Sequence, residues 1–388
     1  MERYPRILYY LPDNNQHSLH RYLALTKQLH RELPHVQQLV VSETLGETGL
    51  ELLPGVDMIL LSPRPQKMIP GIPMKQIQAH REQQILDIIF KFQPHLFLVD
   101  RLVTGLHGEL APSLRFLKVW SPQTKIVYGM PDIESSPHMM KSSWQKKGIY
   151  RLLDEIYDRI LLFGQRDIFD PIMAYKMPVS TAVKVVECGY LHHMNYGSDI
   201  HEIGTRLQKS AAHYAILIII DAVETIDNLS ENMIRELPQS ANGMPVHLTV
   251  LIASGTISQS KIDTFLSDLA HFPVEVVHFD ASFCHRLVDS ADLVLCHASY
   301  GAVCNVVARN KQTLFLIGPQ TSPDCVMRAH MLSQAGLADI CDLSSSANWE
   351  NCLRNVLNRR NASPKAGLML QVNGVYRASQ TITSMLMN

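Results

Sequence analysis

The stretch "DLVLCHASYGAVCNVVARNKQTLFLIG", residues 292–318, contains two short apolar runs on either side of a helical segment that opens on small residues. Continuous rather than alternating apolar residues are typical of strands buried on both faces, so the order predicts strand, tight turn, helix and parallel strand. We expect the helix to begin near Ser299 or Tyr300, where free N–H groups could receive a diphosphate. Gly301 would allow close backbone approach. The alternative is an ordinary strand–helix turn without a ligand.

The same alternation of apolar runs and helical segments occurs along the whole chain. The predicted strands are residues 6–11, 38–42, 58–62, 96–100, 125–129, 159–164 and 183–188 in the first half, and 215–220, 247–253, 274–279, 293–298 and 313–318 in the second. Helical segments are predicted at 19–32, 75–92, 107–119 and 141–156. This pattern predicts an α/β fold with two doubly wound, Rossmann-like domains that face each other across a cleft. In such sheets ligands bind beyond the carboxyl ends of the strands.

Changes in polarity suggest where the domains meet. Residues 1–195 are predicted to form the N-terminal domain and residues 214–366 the C-terminal, ligand-binding domain. Between them, residues 196–213 are polar and weakly periodic, which is typical of a linker. Residues 367–388 are predicted to form a terminal helix that packs back toward the N-terminal domain.

Composition excludes several classes of protein. The 388 residues carry a formal net charge of −1, whereas a general nucleic-acid binder normally has a basic surplus. The seven cysteines form no C-x-x-C pair, so we expect reduced thiols in a cytoplasmic protein and no structural zinc site. The longest aliphatic run, "AILIII" at 215–220, is far shorter than the roughly 20 residues that cross a bilayer.

Four segments together resemble a known family. Residues 299–340, "SYGAVCNVVARNKQTLFLIGPQTSPDCVMRAHMLSQAGLADI", resemble the donor-binding region of GT-B glycosyltransferases of the MurG type, and more closely a bacterial group related to it. Segments of the N-terminal half resemble the same group: "REQQILDIIFKFQPHLFLVDRLVTGLHGELAPSLRFL" (81–117), "VYGMPDI" (127–133) and "YDRILLFGQRDIFDP" (157–171). The motifs follow in the family's order and cover most of the chain.

This resemblance implies a GT-B fold and an enzyme that needs no cofactor. The C-terminal domain would hold a nucleotide-sugar, assumed to be a UDP-sugar, as substrate, and the N-terminal domain an unidentified acceptor such as a glycan, a lipid-linked sugar or a small molecule. The implied reaction inverts the anomeric carbon and uses no metal, because the helix end and polar groups carry the charge of the leaving diphosphate. The implied donor-side residues are Phe279, His297, Ser299, Tyr300, Gly301, Ala302, Asn305, Asp324 and Arg328.

The chain departs from the family pattern at the donor side. Asn305 stands where the family has a glutamate that accepts hydrogen bonds from both ribose hydroxyls. Asp324 and Cys325 replace a Glu–Gln pair, and the glycine-rich turn after the first C-terminal strand is replaced by residues that begin with Asp221. A carboxylate beside a diphosphate is unfavourable unless it points away or binds another group. Two alternatives therefore remain: a catalytically degenerate GT-B subunit that binds or activates a partner, and a sugar-nucleotide epimerase.

On the acceptor side, the family has a glycine-rich loop with a histidine after the first strand. The simplest alignment places Ser18 at that histidine, and the adjacent His17 is the predicted general base because of its near-neutral pKa. A solvent-facing His17 before a Ser18 N-cap is the alternative. Asp132 is the second candidate base, with an N-cap or turn role as its alternative. Asp100 and Glu109 match family positions and are predicted to shape the acceptor side.

Residues 138–151, "HMMKSSWQKKGIYR", mix methionines and a tryptophan with lysines and an arginine. Such a segment could lie at the surface of an anionic membrane that carries a lipid-linked acceptor. The alternative is an amphipathic helix whose apolar side belongs to the core. The sequence leaves both open.

Overall fold

The computed structural model describes most of the chain. The described residues are 4–12, 16–42, 55–61, 74–191, 214–221, 226, 229, 233, 245–253, 257–269, 274–279, 284–344, 346–358 and 369–387. The predicted linker, residues 196–213, lies outside them. The chain forms two compact units: unit 1 comprises Met1–His193 together with Gln371–Asn388, and unit 2 comprises Met194–Leu370.

Unit 1 contains a sheet of seven parallel strands. These strands are β1 (Arg6–Leu11), β2 (Gln37–Ser42), β3 (Val56–Leu60), β4 (Leu96–Asp100), β5 (Lys125–Pro131), β6 (Arg159–Phe163) and β7 (Val185–Glu187). They lie in the order β3-β2-β1-β4-β5-β6-β7, with every neighbouring pair parallel. The strand order therefore reverses between β1 and β4, which is the point where doubly wound sheets bind ligands.

Helices connect these strands and cover the sheet. They are α1 (Gln16–Glu32), α2 (Met74–Phe92), α3 (Ala111–Trp120), α4 (Pro137–Lys146), α5 (Ile149–Glu155), α6 (Pro171–Ala174) and α7 (Val179–Ala182). The five inner strands are buried almost throughout, as the continuous apolar runs predicted, whereas the edge strands β3 and β7 are partly exposed. The predicted helix over 141–156 is two helices, because Gly148 lies between α4 and α5 with a left-handed φ of 65°.

Unit 2 repeats the architecture with six parallel strands. They are β8 (Tyr214–Ile220), β9 (Val246–Ala253), β10 (Val274–Phe279), β11 (Leu293–Cys296), β12 (Gln312–Ile317) and β13 (Asp339–Asp342). Their order is β10-β9-β8-β11-β12-β13, so the reversal falls between β8 and β11. The helices are α8 (Gln259–Leu269), α9 (Cys284–Ser290), α10 (Tyr300–Asn305), α11 (Pro323–Gln334) and α12 (Ser346–Asn358), and a 3₁₀ turn covers Val307–Arg309.

The last helix, α13 (Gly374–Met387), belongs to unit 1 and packs against α1. Ser379 and Thr383 donate hydrogen bonds of 2.6 and 3.0 Å from their hydroxyls to the two carboxylate oxygens of Glu32 on α1. At the start of α13, the chain crosses the segment after β7 at very short range. A Cβ at Gly374 would lie 2.5 Å from the carbonyl oxygens of both Gly189 and Tyr190. Only glycine fits at this crossing.

We therefore expect Gly374→Ala to destabilise unit 1 by about 2–4 kcal/mol, because neither side of the contact is a movable side chain. Chemical denaturation followed by far-UV circular dichroism measures the loss. Gly148→Ala is the matched control: a Cβ there meets nothing within 4 Å, so only backbone strain of about 1 kcal/mol is expected. Equal stability of Gly374→Ala and the parent protein would contradict the tight crossing.

Candidate functional site

The carboxyl edge of the unit 2 sheet brings polar residues together at the reversal point. Asp221 follows β8 and Ser299 follows β11. Ser299 is the N-cap of α10: its hydroxyl accepts the N–H of Ala302 at 3.1 Å and donates to Oδ2 of Asp221 at 2.7 Å. A carboxylate therefore lies one hydrogen bond from the first turn of α10, beside the position predicted for the diphosphate. Negative charge there favours the helix and disfavours a second anion.

The next crossover contributes a buried arginine to the same edge. Arg328 on α11 is 2 % exposed, and its Nη1 donates to the carbonyl oxygen of Ala298 at 2.9 Å and to Oδ2 of Asp324 at 3.3 Å. The guanidinium thus ties α11 to the chain that follows β11. Asp324 keeps 35 % of its side chain exposed, so its carboxylate can accept hydrogen bonds from a ligand's hydroxyl groups.

The other donor-side candidates occupy different environments. Tyr300, Gly301 and Ala302 are buried within α10, and Asn305 is its half-buried last residue. His297 is also buried, in the turn between β11 and Ser299. Phe279 ends β10, and its side chain lies outside the described residues.

Cys325, which replaces the glutamine of the family pattern, is buried beside this cluster. Burial, partly offset by Arg328, raises the pKa of its thiol to about 11. A raised pKa favours the protonated thiol at neutral pH, which disfavours a nucleophilic role because the thiolate is the reactive form.

In unit 1, two of the predicted carboxylates lie at the ends of neighbouring strands. Asp100 ends β4 and accepts the hydroxyl of Tyr22 from α1 at 2.7 Å. Asp132 follows β5 and is 2 % exposed; its Oδ1 accepts the N–H of Ile133 at 2.7 Å and its Oδ2 the hydroxyl of Tyr190 at 3.3 Å. Both oxygens of Asp132 are thus engaged, which favours its turn-stabilising role over that of a general base.

Glu109 lies beneath the loop that follows β4. Its Oε1 accepts Nη2 of Arg81 at 2.7 Å and the hydroxyl of Tyr10, and both charged side chains are buried. Burial and the nearby carboxylate raise the pKa of Tyr10 well above its usual value, so the phenol remains a donor. Gly105 has a φ of 78°, and a Cβ there would lie 2.9 Å from Cγ of Glu109. Glu109 therefore shapes this loop from inside and not by contact with solvent.

The predicted base His17 lies in the first turn of α1. Because α1 begins at Gln16, the alternative in which Ser18 is the N-cap is wrong. The side chains of His17 and Ser18 lie outside the described residues, so the assignment of His17 as the general base stays a prediction.

An ion pair at this edge was not predicted. Nε and Nη2 of Arg101 donate to the two carboxylate oxygens of Glu134 at 3.1 and 2.8 Å, and both side chains are partly exposed. Arg101 has a left-handed φ of 53°, a conformation that is uncommon outside glycine and is found at functional sites. A charged residue directly after a strand end was the only sequence signal available for it.

The segment 138–151 packs into unit 1. Met140 and Trp144 on α4 are buried, and the Trp144 ring lies 5.5 Å from that of Tyr150 and 5.6 Å from that of Tyr175, centroid to centroid. This arrangement favours the core-helix alternative over membrane contact through the tryptophan. Met139 is exposed. Among the helices in the described ranges, none combines the length and apolarity that a membrane span requires.

No metal-binding group of three or more His, Cys, Asp or Glu side chains is present among the described residues. No protein-family model matches the sequence, and no curated protein matches it either.

Solved structures match over the whole chain. A UDP-glucosyltransferase from Polygonum tinctorium is 11 % identical with a TM-score of 0.65, and the match covers 99 % of each chain. MurG from Acinetobacter baumannii is 12 % identical with a TM-score of 0.59, over 98 % of this chain and 99 % of that one. A UDP-GlcNAc 2-epimerase from Neisseria meningitidis, bound to UDP-GlcNAc, is 15 % identical with a TM-score of 0.63 over the same shares. These similarities confirm the predicted fold class, GT-B, with its two parallel-sheet α/β domains.

The buried pair under the β4 loop gives a stability prediction. Glu109→Gln keeps the shape of the side chain but removes the negative charge that pairs with the buried guanidinium of Arg81. We expect a loss of about 3 kcal/mol in the free energy of unfolding, measured by urea denaturation. Arg151→Gln, which breaks the exposed Arg151–Glu155 pair, should leave stability unchanged. If both variants are as stable as the parent protein, the β4 loop does not depend on Glu109.

Proposed function

We propose that the protein is a glycosyltransferase that moves a sugar from a nucleoside-diphosphate sugar, bound at the carboxyl edge of the unit 2 sheet, to a hydroxyl group of an acceptor held by unit 1. The observation that carries this proposal is the convergence of Ser299, Asp324 and Arg328 near the point where the strand order of that sheet reverses. Doubly wound sheets bind nucleotides at this point.

The similar structures support the choice of donor. The glucosyltransferase and the epimerase are both named for UDP-sugars, and the epimerase structure contains one. Both matches cover at least 98 % of each chain. We therefore propose a UDP-sugar as donor.

In the proposed reaction, the acceptor oxygen attacks the anomeric carbon as the bond to the diphosphate oxygen breaks, with inversion and without a metal. The nucleoside diphosphate leaves, and the acceptor proton passes to a general base. We assign that role to His17, because Asp132 is buried and both of its oxygens accept hydrogen bonds. Asp324 would accept hydrogen bonds from donor hydroxyls, and Arg328 would hold Asp324 in place. Asn305 would contact the ribose.

Ligand binding tests this proposal directly. Isothermal titration with UDP and UDP-sugars should show binding, and the same ligands should raise the melting temperature, because they bind only the folded state. Asn305→Ala should weaken UDP binding by roughly fivefold through the loss of a ribose hydrogen bond. Asp221→Asn should strengthen it by roughly fivefold, since it removes a negative charge beside the phosphates.

The control is Asp263→Asn, an exposed carboxylate on α8 that should leave binding unchanged. Opposite effects of Asn305→Ala and Asp221→Asn would locate the nucleotide at α10. Absence of binding by UDP, GDP, TDP and their sugars at millimolar concentration would overturn the enzyme proposal. That result would favour a degenerate subunit that acts through a partner.

A sugar-nucleotide epimerase is the second candidate, favoured by the carboxylates of Asp221 and Asp324 at one sheet edge and by the epimerase of the same fold. Carboxylates are suitable groups for removing and returning a proton. Inversion of a carbon that carries a hydrogen by this route exchanges that proton with solvent.

Incubation with UDP-sugars in D₂O therefore separates the two candidates. Mass spectrometry should find no deuterium in the sugar if the protein is a transferase. An increase of one mass unit in the sugar, without an acceptor, would replace the transferase proposal with an epimerase.

A further inference from the structure

Unit 1 contains a cavity whose lining residues have no assigned role in the proposed function. Its volume is about 680 Å³, and it is lined by the 104–108 loop, by α2 and α3, and by residues at and after the junction of α4 and α5. Cavities of several hundred Å³ are the usual size of small-molecule sites.

Three basic side chains line this cavity: His107 from the loop, Arg115 from α3 and Lys147 from the junction before α5. Within the described part of the chain, these side chains have no ion pair or hydrogen bond, and the cavity lining includes no Asp or Glu. Of the acidic residues on the elements around the lining, Glu109 pairs with Arg81, Glu155 pairs with Arg151, and Glu82 accepts a hydrogen bond of 3.0 Å from the lining residue Gln78. Arg115 and Lys147 are exposed side chains, and they give the lining positive charge that no acidic residue of its described part offsets.

The helices contribute apolar side chains to the same cavity. Leu114 on α3, together with Leu152 and Ile156 at the α5 end, lines the same space, and Leu114 and Ile156 are buried. Removing the apolar surface of a ligand from water stabilises its complex by about 25 cal/mol per Å². One ligand in this cavity could therefore contact both basic and apolar side chains.

The loop side of the cavity is fixed before any ligand binds. Tyr10 donates to Glu109 and accepts a backbone hydrogen bond from Leu106, while Glu109 also pairs with buried Arg81. The N–H of Leu110 closes the loop on the carbonyl oxygen of Thr104 at 3.0 Å. A pre-formed wall reduces the entropy that binding must overcome.

We propose that this cavity binds an amphipathic anion, with a phosphate or carboxylate head between Arg115 and Lys147 and an apolar tail against Leu114, Leu152 and Ile156. None of the residues that line this cavity is assigned a role in the proposed nucleotide-sugar reaction. The ligand class includes soluble alkyl phosphates and the headgroup of an anionic lipid, which share the same chemistry.

Titration of the full-length protein with octyl phosphate, below its micelle concentration, tests the site. Inorganic phosphate and 1-octanol provide the head and the tail alone, and each should bind at least about tenfold more weakly. Arg115→Gln and Lys147→Gln should each weaken octyl phosphate binding about fivefold. The matched controls, Lys118→Gln on α3 and Lys146→Gln beside Lys147, remove exposed charges outside the lining and should change binding less than about twofold.

Leu152→Trp addresses the apolar wall, because the larger ring occupies the cavity and should abolish binding. Circular dichroism and the melting temperature confirm that each variant is folded. UDP-sugar binding should be the same in the Arg115 and Lys147 variants as in the parent protein, so a failure of this site is distinguishable from a failure of the proposed function.

Sedimentation with phosphatidic acid vesicles separates the two sources of ligand. Vesicle binding that is lost in the Arg115→Gln/Lys147→Gln double variant identifies a lipid headgroup, and octyl phosphate binding without vesicle binding identifies a soluble amphiphile. The proposal is overturned if octyl phosphate does not bind, or if the lining variants and the control variants lose binding equally.

Discussion

All strands of both sheets run parallel, and this constraint determines where polar groups of this protein can meet. A parallel sheet needs a crossover after every strand, so each carboxyl end opens into a loop at the same edge. Because the inner strands are buried on both faces, this edge is where polar residues can reach hydrogen-bond partners in the loops. Asp100 and Asp132 in unit 1, and Asp221 and Ser299 in unit 2, all occupy such positions.

The two units use this edge differently. In unit 1 the carboxylates of Asp100, Asp132 and Glu109 are buried, and each accepts a hydrogen bond from a tyrosine hydroxyl. Buried carboxylates of this kind fix loops, because losing one partner leaves a polar group without compensation. In unit 2, Asp324 remains partly exposed beside buried Arg328. The buried carboxylates of unit 1 therefore support its loops, whereas Asp324 of unit 2 is exposed enough to bind ligand hydroxyls.

The sequence predicted the fold well because strands of continuous apolar residues must be covered on both faces, which few arrangements allow. Strand positions were predicted within a few residues, and α10 begins at Tyr300 as expected. β13 was missed since Asp339–Asp342, "DICD", is short and carries an acid at each end.

The site was harder to predict. Arg101 and Glu134 are 33 residues apart, and they pair only because β4 and β5 are neighbours with Asp100 opposite Gly129. The spacing of these two residues in the sequence does not indicate which residues of β4 and β5 lie opposite each other.

The residues at and beside α10 that depart from the family pattern change the charge near both ends of this helix. Relative to the family pattern, a negative charge is lost at Asn305, at the end of the helix, and Asp221 places one beside its beginning. A carboxylate stabilises a helix at its N-terminus and opposes the dipole at its C-terminus, so both changes favour α10 itself. The same two changes would oppose the proposed nucleotide, because its ribose would lose a charged acceptor and its phosphates would gain a like charge. Both changes therefore stabilise the helix, and the proposed donor would have to obtain its affinity from neutral contacts and from Asp324 rather than from the helix end.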